Sequence, residues 1–207
     1  MQHEQYFART PTSVGDERTV VVRLDGRDVE CATSPGVFSS RGLDKGTAVL
    51  LPALPSPLPG SSCLDLGCGW GPIAMAMAAR EPSATVWATD VNERARRLAD
   101  ANARRNGLNN VRVVDPESLP RDCTFALIAS NPPVRIGRAP MLRMLLDATA
   151  SLTPDGEAWL VVSRHLGADS LAVDLAAGGR VVERISSRTG FRILRVSLTP
   201  AADPGTP

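Results

Sequence analysis

The chain has 207 residues, of which 43% are apolar and 22% are charged, and its formal net charge is +1. Length and composition are typical of one globular domain with a proper core. The near-zero charge excludes a strong overall field that would draw the chain to nucleic acid, but it is compatible with a local basic patch.

Metal and membrane functions are also disfavoured. The four cysteines form no C-x-x-C pair and there are only two histidines, so we expect no metal site. The opening segment MQHEQYFART is polar, unlike a signal peptide. No apolar run approaches the roughly 20 residues of a membrane span. Together with the sparse cysteines, these features predict a cytoplasmic protein without a membrane partner.

The first part of the chain predicts a small β extension. TVVVRL and RDVECAT flank Asp25-Gly26, which is a hairpin turn signal, and a short helix should begin near Asp44. The connector PALPSPLPG (52–60) is rich in proline. About 50 residues make a poor independent domain, so we expect residues 1–55 to pack on the main domain as an extension.

From Ser61 the pattern becomes regular, because short apolar strands alternate with helices. SCLDL, TVWATD, NVRVV, FALIAS and EAWLVVS read as strands, and RVVERISS and FRILRVSL read as a closing hairpin. This alternation predicts a Rossmann-like, doubly wound α/β fold with a mostly parallel seven-stranded sheet and one antiparallel strand. We expect this domain to cover residues 56–200 and residues 201–207 to be a disordered tail.

The stretch LDLGCGWGP ends the first of these strands and opens a helix. Gly67, Gly69 and Gly71 let the backbone turn tightly and approach a ligand, and the helix start should offer unpaired N–H groups. A plain turn is the alternative. No Gly-Lys-Ser/Thr follows, which excludes a P-loop, and Pro72 and Ala74 break the dinucleotide pattern G-x-G-x-x-G.

Acidic residues follow the next two strands. Asp90 lies 19 residues after Gly71 and could accept hydrogen bonds from ribose hydroxyls. Asp90 or Asn92 could instead cap the next helix, and both roles are compatible if Asn92 is the cap. Asp115 could reach an adenine amino group or be a plain loop residue. These features predict an adenosyl ligand, with NAD and S-adenosylmethionine both open at this point.

The fourth strand runs into Asn131-Pro132-Pro133 at the same edge of the sheet. The prolines fix φ, so the Pro132 carbonyl is held rigidly beside the Asn131 side chain. Two acceptors at a fixed spacing suit the two N–H donors of an exocyclic amine. Holding both hydrogens out of the ring plane frees the nitrogen lone pair for attack on a methyl carbon. The alternative is a strand-terminating turn.

The motifs LDLGCGWGP, ATDVNERA, NARRNGL and SNPPVRIG together resemble class I S-adenosylmethionine-dependent methyltransferases. The group that the chain resembles is the small methyltransferase domain of the ribosomal RNA small subunit methyltransferase C type, which modifies guanine N2 in 16S rRNA. GVFSSRGLDKGTAVLL and WLVVSRHLGADSL extend this resemblance over roughly residues 35–200. It implies Asn131, Pro132 and Pro133 as catalytic residues, and a cofactor site for S-adenosylmethionine built from Asp65, Gly67, Cys68, Gly69, Gly71, Asp90, Val91, Asp115 and Asn131.

Substrate binding is assigned to residues around this motif. Val134 stands where related motifs carry an aromatic residue, so Phe38 is the candidate for base stacking, with a core position as the alternative. We expect Phe38, Arg41, Val134 and Arg135 to contact the substrate. A basic rim could hold RNA phosphates or be solvated helix charges, and its members are Arg41, Lys45, Arg135, Arg138, Arg143, Arg164 and His165.

The sequence therefore predicts a methyltransferase acting on guanine N2 of ribosomal RNA, with RNA or a ribosomal particle as partner and a monomer or homodimer as assembly. A guanine in structured RNA must be flipped out or unpaired. The alternatives are methylation of protein glutamine or of a small-molecule amine, and a catalytically silent cofactor- and RNA-binding module. An NAD oxidoreductase is the least favoured, because the glycine spacing is wrong.

Overall fold

The computed structural model describes residues 17–133 and 136–198. Residues 1–16 of the predicted extension, the predicted tail, Val134 and Arg135 lie outside these ranges. An N-terminal hairpin of strands β1 (Arg18–Leu24) and β2 (Arg27–Thr33) precedes the main sheet. Asp25 and Gly26 at its turn both have positive φ, 47° and 81°. The predicted hairpin is therefore confirmed.

The centre of the fold is a seven-stranded sheet in the order β5-β4-β3-β6-β7-β9-β8. β9 is antiparallel to both of its neighbours, and the other strands run in parallel, as predicted. The strands are β3 (Ser62–Leu66), β4 (Thr85–Thr89), β5 (Val111–Val114), β6 (Phe125–Ser130), β7 (Leu152–Ser163), β8 (Arg180–Arg188) and β9 (Phe191–Leu198).

Helices cover both faces of this sheet. Successive strand residues point to opposite faces, so each strand contributes side chains to both of the layers that pack on it. Leu127 and Ile193 belong to one buried cluster, and the adjacent Ile128 and Leu194 belong to the other. The first cluster contains residues of α1, α2 and α3, and the second contains residues of α4 and α5. The helices are α1 (Lys45–Leu50), α2 (Pro72–Arg80), α3 (Glu93–Arg105), α4 (Arg138–Ala150) and α5 (Ala168–Ala177). The predicted Rossmann-like, doubly wound α/β fold is confirmed.

Buried Asn102 of α3 connects the N-terminal hairpin to the main domain through hydrogen bonds. Its Oδ1 accepts a hydrogen bond from Ala32 N at 2.6 Å, and its Nδ2 donates to Ala32 O and Trp70 O, both at 2.9 Å. At the other end of the hairpin, Arg80 pairs with Asp25 at 2.6 Å. The hairpin therefore packs against the helix layer next to the glycine loop.

Strand β7 differs from the prediction, because it begins at Leu152 and not near Glu157. Phe125 N donates to Ser151 O at 2.8 Å, and Phe125 pairs with Leu152 before the register shifts. A Cβ at Gly156 would lie 2.6 Å from Phe125 O, so the bulged segment needs glycine there. Within the described ranges, no helix is long and apolar enough to cross a membrane and no cluster of potential metal ligands occurs.

Candidate functional site

Three polar residues meet where parallel strands end. Asp65 lies near the end of β3, Asp90 directly follows β4, and Asn131 directly follows β6. β3 pairs with both β4 and β6, and the chain reverses its direction of travel across the sheet between β3 and β6. Open α/β sheets bind ligands in the crevice at such a switch point.

The glycine loop after β3 has a backbone that favours glycine. Gly67, Gly69 and Gly71 have φ of +76°, +56° and +96°. A Cβ at Gly71 would lie 3.2 Å from Ala99 of α3, and one at Gly67 would lie 4.0 Å from Pro133 Cδ. Glycine at position 71 therefore permits close packing of α3, and position 67 lies against the Asn-Pro-Pro corner.

The amides of the glycine loop are engaged in hydrogen bonds within the chain. Gly67 N and Cys68 N both donate to Thr89 O at 2.9 Å, and Gly69 N donates to Asp90 Oδ2 at 2.9 Å. Gly71 N donates to Cys68 O at 2.9 Å. Three of these four amides therefore bond to Thr89 and Asp90, where β4 ends. At the helix start, where unpaired N–H groups were expected, Ala74 N donates to Asp65 Oδ2.

Two carboxylates, the buried Asp65 and the half-buried Asp90, are the acidic groups of the site. Asp65 is fully buried; its Oδ2 accepts from Ala74 N at 2.8 Å, whereas its Oδ1 has no hydrogen-bond partner among the described residues. Burial raises the pKa of Asp65 to about 7, and the neighbouring Asp90 adds to this rise. Burial also raises the pKa of Asp90. A positively charged ligand would relieve the unfavourable environment of both groups.

The remaining predicted cofactor residues have contacts of their own. Asp115 pairs with Arg96 at 3.0 Å and accepts from Glu117 N, so its carboxylate is already engaged. Val91 is 42% exposed beside Asp90. Cys68 is buried, and burial raises the pKa of its thiol well above the ordinary value, which disfavours a reactive role.

Asn92 confirms the predicted helix cap, since its Oδ1 accepts from Arg94 N and Ala95 N. Asp90 is therefore not needed as the cap of α3. Arg96 donates to Asp90 O at 2.6 Å as well as pairing with Asp115. The side chain of Arg96 therefore folds back from α3 onto the site.

The Asn131 side chain has a defined orientation. Its Nδ2 donates to Asp44 Oδ2 at 2.7 Å and to Thr47 Oγ1 at 3.1 Å. Because a carboxylate only accepts hydrogen bonds, the amide nitrogen and not the oxygen must face Asp44, and the Thr47 hydroxyl then serves as a second acceptor. The Oδ1 atom accepts no hydrogen bond from the described residues.

A cleft joins these elements. It is lined by Phe38, Ser39, Asp44, Thr47, Gly67, Cys68, Gly69, Trp70, Pro72, Ile73 and Asn131. Phe38 is 44% exposed, which rules out the core position considered for it. Arg41 is exposed but does not line the cleft, and the predicted substrate residues Val134 and Arg135 lie outside the described ranges.

Sequence reasoning missed three residues of this site. Asp44 and Thr47 hold Asn131. Phe191 lies next to Gly46, where a Cβ would be 3.1 Å from Phe191 Cε1 and 3.2 Å from Asn131 Nδ2. Of these three residues, only Asp44 had a local sequence signal, which was its position at the start of a predicted short helix. Nothing local to Phe191 indicates that the start of β9 reaches the end of β6.

A Rossmann-like sheet with a glycine loop after its first strand and an acidic residue after the second is the arrangement of the class I S-adenosylmethionine-dependent methyltransferases. Within that class, residues 28–195 match the family model described as "Methyltransferase small domain", and the chain belongs to this family. S-adenosylmethionine is the methyl donor of the class, which agrees with the cofactor predicted from the sequence.

Similar proteins include a Bacillus subtilis protein described as uncharacterized protein YbxB, 30% identical over 93% of this chain and 97% of its own. The ribosomal RNA large subunit methyltransferase G of Pseudomonas syringae is 33% identical over 83% of this chain and 47% of its own. The ribosomal RNA small subunit methyltransferase C of Hahella chejuensis is 40% identical, and the match covers 65% of this chain and 40% of that protein. The chain thus spans about half the length or less of these two relatives.

Among solved structures, the T. thermophilus 16S rRNA N2 methyltransferase in complex with AdoMet and guanosine superposes with a TM-score of 0.77. The match covers 91% of this chain and 52% of that one at 22% identity. At this identity the likeness concerns the fold, which it confirms.

Proposed function

We propose that the chain is an S-adenosylmethionine-dependent N-methyltransferase that methylates the exocyclic N2 amine of guanine in ribosomal RNA. The observation that carries the proposal is the orientation of Asn131, whose Nδ2 is held by Asp44 and Thr47. This leaves Oδ1 available as an acceptor next to the rigid Pro132 carbonyl. An acceptor pair of this kind suits an amine with two hydrogens.

The residues of the site fit the cofactor. S-adenosylmethionine supplies a methyl group on a positively charged sulfur, and its amino acid part carries an ammonium group. The orphaned Oδ1 of Asp65 and the pKa values of Asp65 and Asp90, which burial raises, suit a ligand that carries a positive charge. We propose that Asp65 and the Gly67–Gly71 loop hold the amino acid part and that Asp90 holds the ribose, with Val91 and Asp115 near the base.

The chain's own contribution to the reaction is positioning. Asn131 Oδ1 and the Pro132 carbonyl would each accept one hydrogen of the target amine, so that the nitrogen lone pair leaves conjugation with the ring and points toward the methyl group. Both acceptors are neutral and weakly basic. They therefore orient the hydrogens, and the proton is lost to water only after the nitrogen has become positively charged.

Aromatic and basic residues around the cleft support RNA as the substrate. Phe38 lines the cleft with Asn131 and Phe191 lies next to Gly46, and both are our candidates for stacking on a flipped guanine, each worth about 1–3 kcal/mol. Because Phe38, Asp44 and Thr47 come from the N-terminal part, we propose that residues 1–55 are an extension that completes the site of a domain formed by residues 56–200.

The six described members of the predicted basic rim are all exposed, and so is Arg188 near the end of β8; the six are Arg41, Lys45, Arg138, Arg143, Arg164 and His165. Arg164 N donates to Gly190 O at 2.9 Å, which brings the end of β7 next to the β8–β9 turn near Phe191. Within the described ranges Arg41, Lys45, Arg164 and Arg188 have no carboxylate partner, whereas Arg138 pairs with Asp174. Exposed cations without a carboxylate partner suit phosphate contacts. Two of the relatives are ribosomal RNA methyltransferases by name, which supports the same substrate class.

A labelling experiment tests the proposal. The protein is incubated with S-adenosylmethionine labelled in its methyl group and with 30S particles, 50S particles, the corresponding naked RNAs or total cell protein. We expect label in RNA, and we expect Asn131→Ala to abolish it; calorimetry with S-adenosylmethionine then separates a loss of methyl transfer from a loss of cofactor binding. Label only in protein would favour a glutamine substrate and contradict the RNA proposal.

A further inference from the structure

Asp44 has more hydrogen-bond donors around it than a helix cap requires. Its Oδ2 accepts from Gly46 N at 2.7 Å and from Thr47 N at 3.2 Å, which caps α1. The same atom accepts from Asn131 Nδ2 at 2.7 Å, across 87 positions of sequence. The third contact links the cap of α1 to the corner that ends β6.

Position 46 is shaped for this link. A Cβ at Gly46 would lie 2.9 Å from Asp44 Oδ2 and 3.2 Å from Asn131 Nδ2. A residue with a Cβ at this position would therefore displace the ends of the Asp44 and Asn131 side chains. Glycine at position 46 leaves the space in which these two groups meet.

The bond to a carboxylate also changes the amide chemically. Charge-assisted hydrogen bonds are shorter and about twice as strong as neutral ones. A negative charge next to Nδ2 draws the amide toward its charge-separated form, which increases the negative charge on Oδ1. The atom that would face the substrate amine thus becomes a stronger acceptor, and its direction is fixed because Nδ2 is held by two partners.

We propose that Asp44 and Thr47 are positioning residues that fix the Asn131 amide and strengthen its Oδ1 as an acceptor for the amine that is methylated. The kinetic part of this inference rests on the proposed function. The structural part concerns only residues of this chain and is measurable without any substrate.

Four variants separate the positioning role from the capping role. Asp44→Ser keeps an efficient helix cap but is too short to reach Asn131, and Asp44→Asn keeps an acceptor while removing the charge. Thr47→Val removes the hydroxyl acceptor at constant shape, and Thr47→Ser restores it. Thr149→Val is the matched control, because Thr149 is also a buried helical threonine, on α4.

The first readout is the Asn131 side-chain amide in ¹⁵N–¹H NMR spectra of the whole chain, identified by its loss in Asn131→Ala. We expect Asp44→Ser to shift its proton signals and to speed their exchange with water, with a smaller change in Thr47→Val and none in Thr149→Val. Unchanged Asn131 signals in Asp44→Ser would overturn the inference, whatever the activity.

The second readout is methyl transfer to the RNA fraction that the wild type labels. We expect kcat to fall on the order of 10-fold in Asp44→Ser, because supporting residues of this kind contribute about 10–100-fold. KM for S-adenosylmethionine should stay within about twofold, and Thr47→Ser should restore the loss in Thr47→Val. Unchanged kcat in Asp44→Ser would contradict a role in catalysis. A wild type that labels no RNA would sink the proposed function, while the NMR result would still decide whether Asp44 positions Asn131.

Discussion

Replacing Asp65 with asparagine should make the cofactor-free protein more stable, and the gain should grow with pH. Burial raises the pKa of Asp65 from 3.8 to about 7 in the folded chain. The unfolded chain loses this proton near pH 4, so between about pH 4 and pH 7 the folded state binds more protons than the unfolded one. The contribution of Asp65 to stability is therefore most favourable at low pH and falls as pH rises through this range.

The size of the effect follows from the two pKa values. A difference of about 3 between them corresponds to about 4 kcal/mol at most, since one pKa unit is worth about 1.4 kcal/mol. About 1.6 kcal/mol of this penalty is present at pH 5 and nearly all of it at pH 8. The advantage of Asp65→Asn over the wild type should therefore grow by about 2–3 kcal/mol between these two pH values.

Urea unfolding of both proteins at pH 5 and pH 8 measures this difference directly, because all other titrating groups are shared. The same variant should bind S-adenosylmethionine more weakly, since an amide cannot balance a cationic ligand. A stability difference that does not change with pH would refute the inference that Asp65 is an uncompensated buried acid.

Two further perturbations test the packing and the rim. Asn102→Ala should lower the free energy of unfolding by about 3 kcal/mol, because it removes three buried hydrogen bonds. Thermal melting measures this loss, with Asn109→Ala at an exposed position as the control. Equal melting temperatures of the two variants would contradict the anchoring role of Asn102. The double variant Arg164→Ala, Arg188→Ala should bind RNA more weakly, and the slope of the logarithm of its RNA association constant against the logarithm of salt concentration should fall in magnitude by about 1–2. Arg27→Ala, next to the turn of the N-terminal hairpin, should leave this slope unchanged. Equal slopes for the double variant and the wild type in binding titrations would show that Arg164 and Arg188 do not contact RNA phosphates.

Local sequence signals predicted the fold and the edge of the sheet at which Asp65, Asp90 and Asn131 lie. Glycine positions in the loop, the Asn92 cap and the Asn-Pro-Pro corner depend on the conformations of neighbouring residues, and such conformations are encoded locally. Because parallel strands end at one edge of a sheet, the order of the strands along the chain is enough to place Asp65, Asp90 and Asn131 together.

Contacts between distant parts of the chain carry no comparable local signal. The Asp44–Asn131 bond joins residues 87 positions apart, and it forms only because α1 lies over the end of β6. The carboxylate of Asp115, for which an adenine contact and a plain loop role were both open, pairs with Arg96 of the preceding helix. The early start of β7 depends on a bulge opposite Phe125, which periodicity does not reveal.

The identity of the methylated nucleoside tests the central claim most directly. RNA labelled by the wild-type protein is digested to nucleosides, and the methylated product is identified by mass spectrometry against standards. The account predicts N2-methylguanosine, which is absent from RNA incubated with Asn131→Ala. Methylation of another base, of a ribose hydroxyl or of protein alone would contradict it.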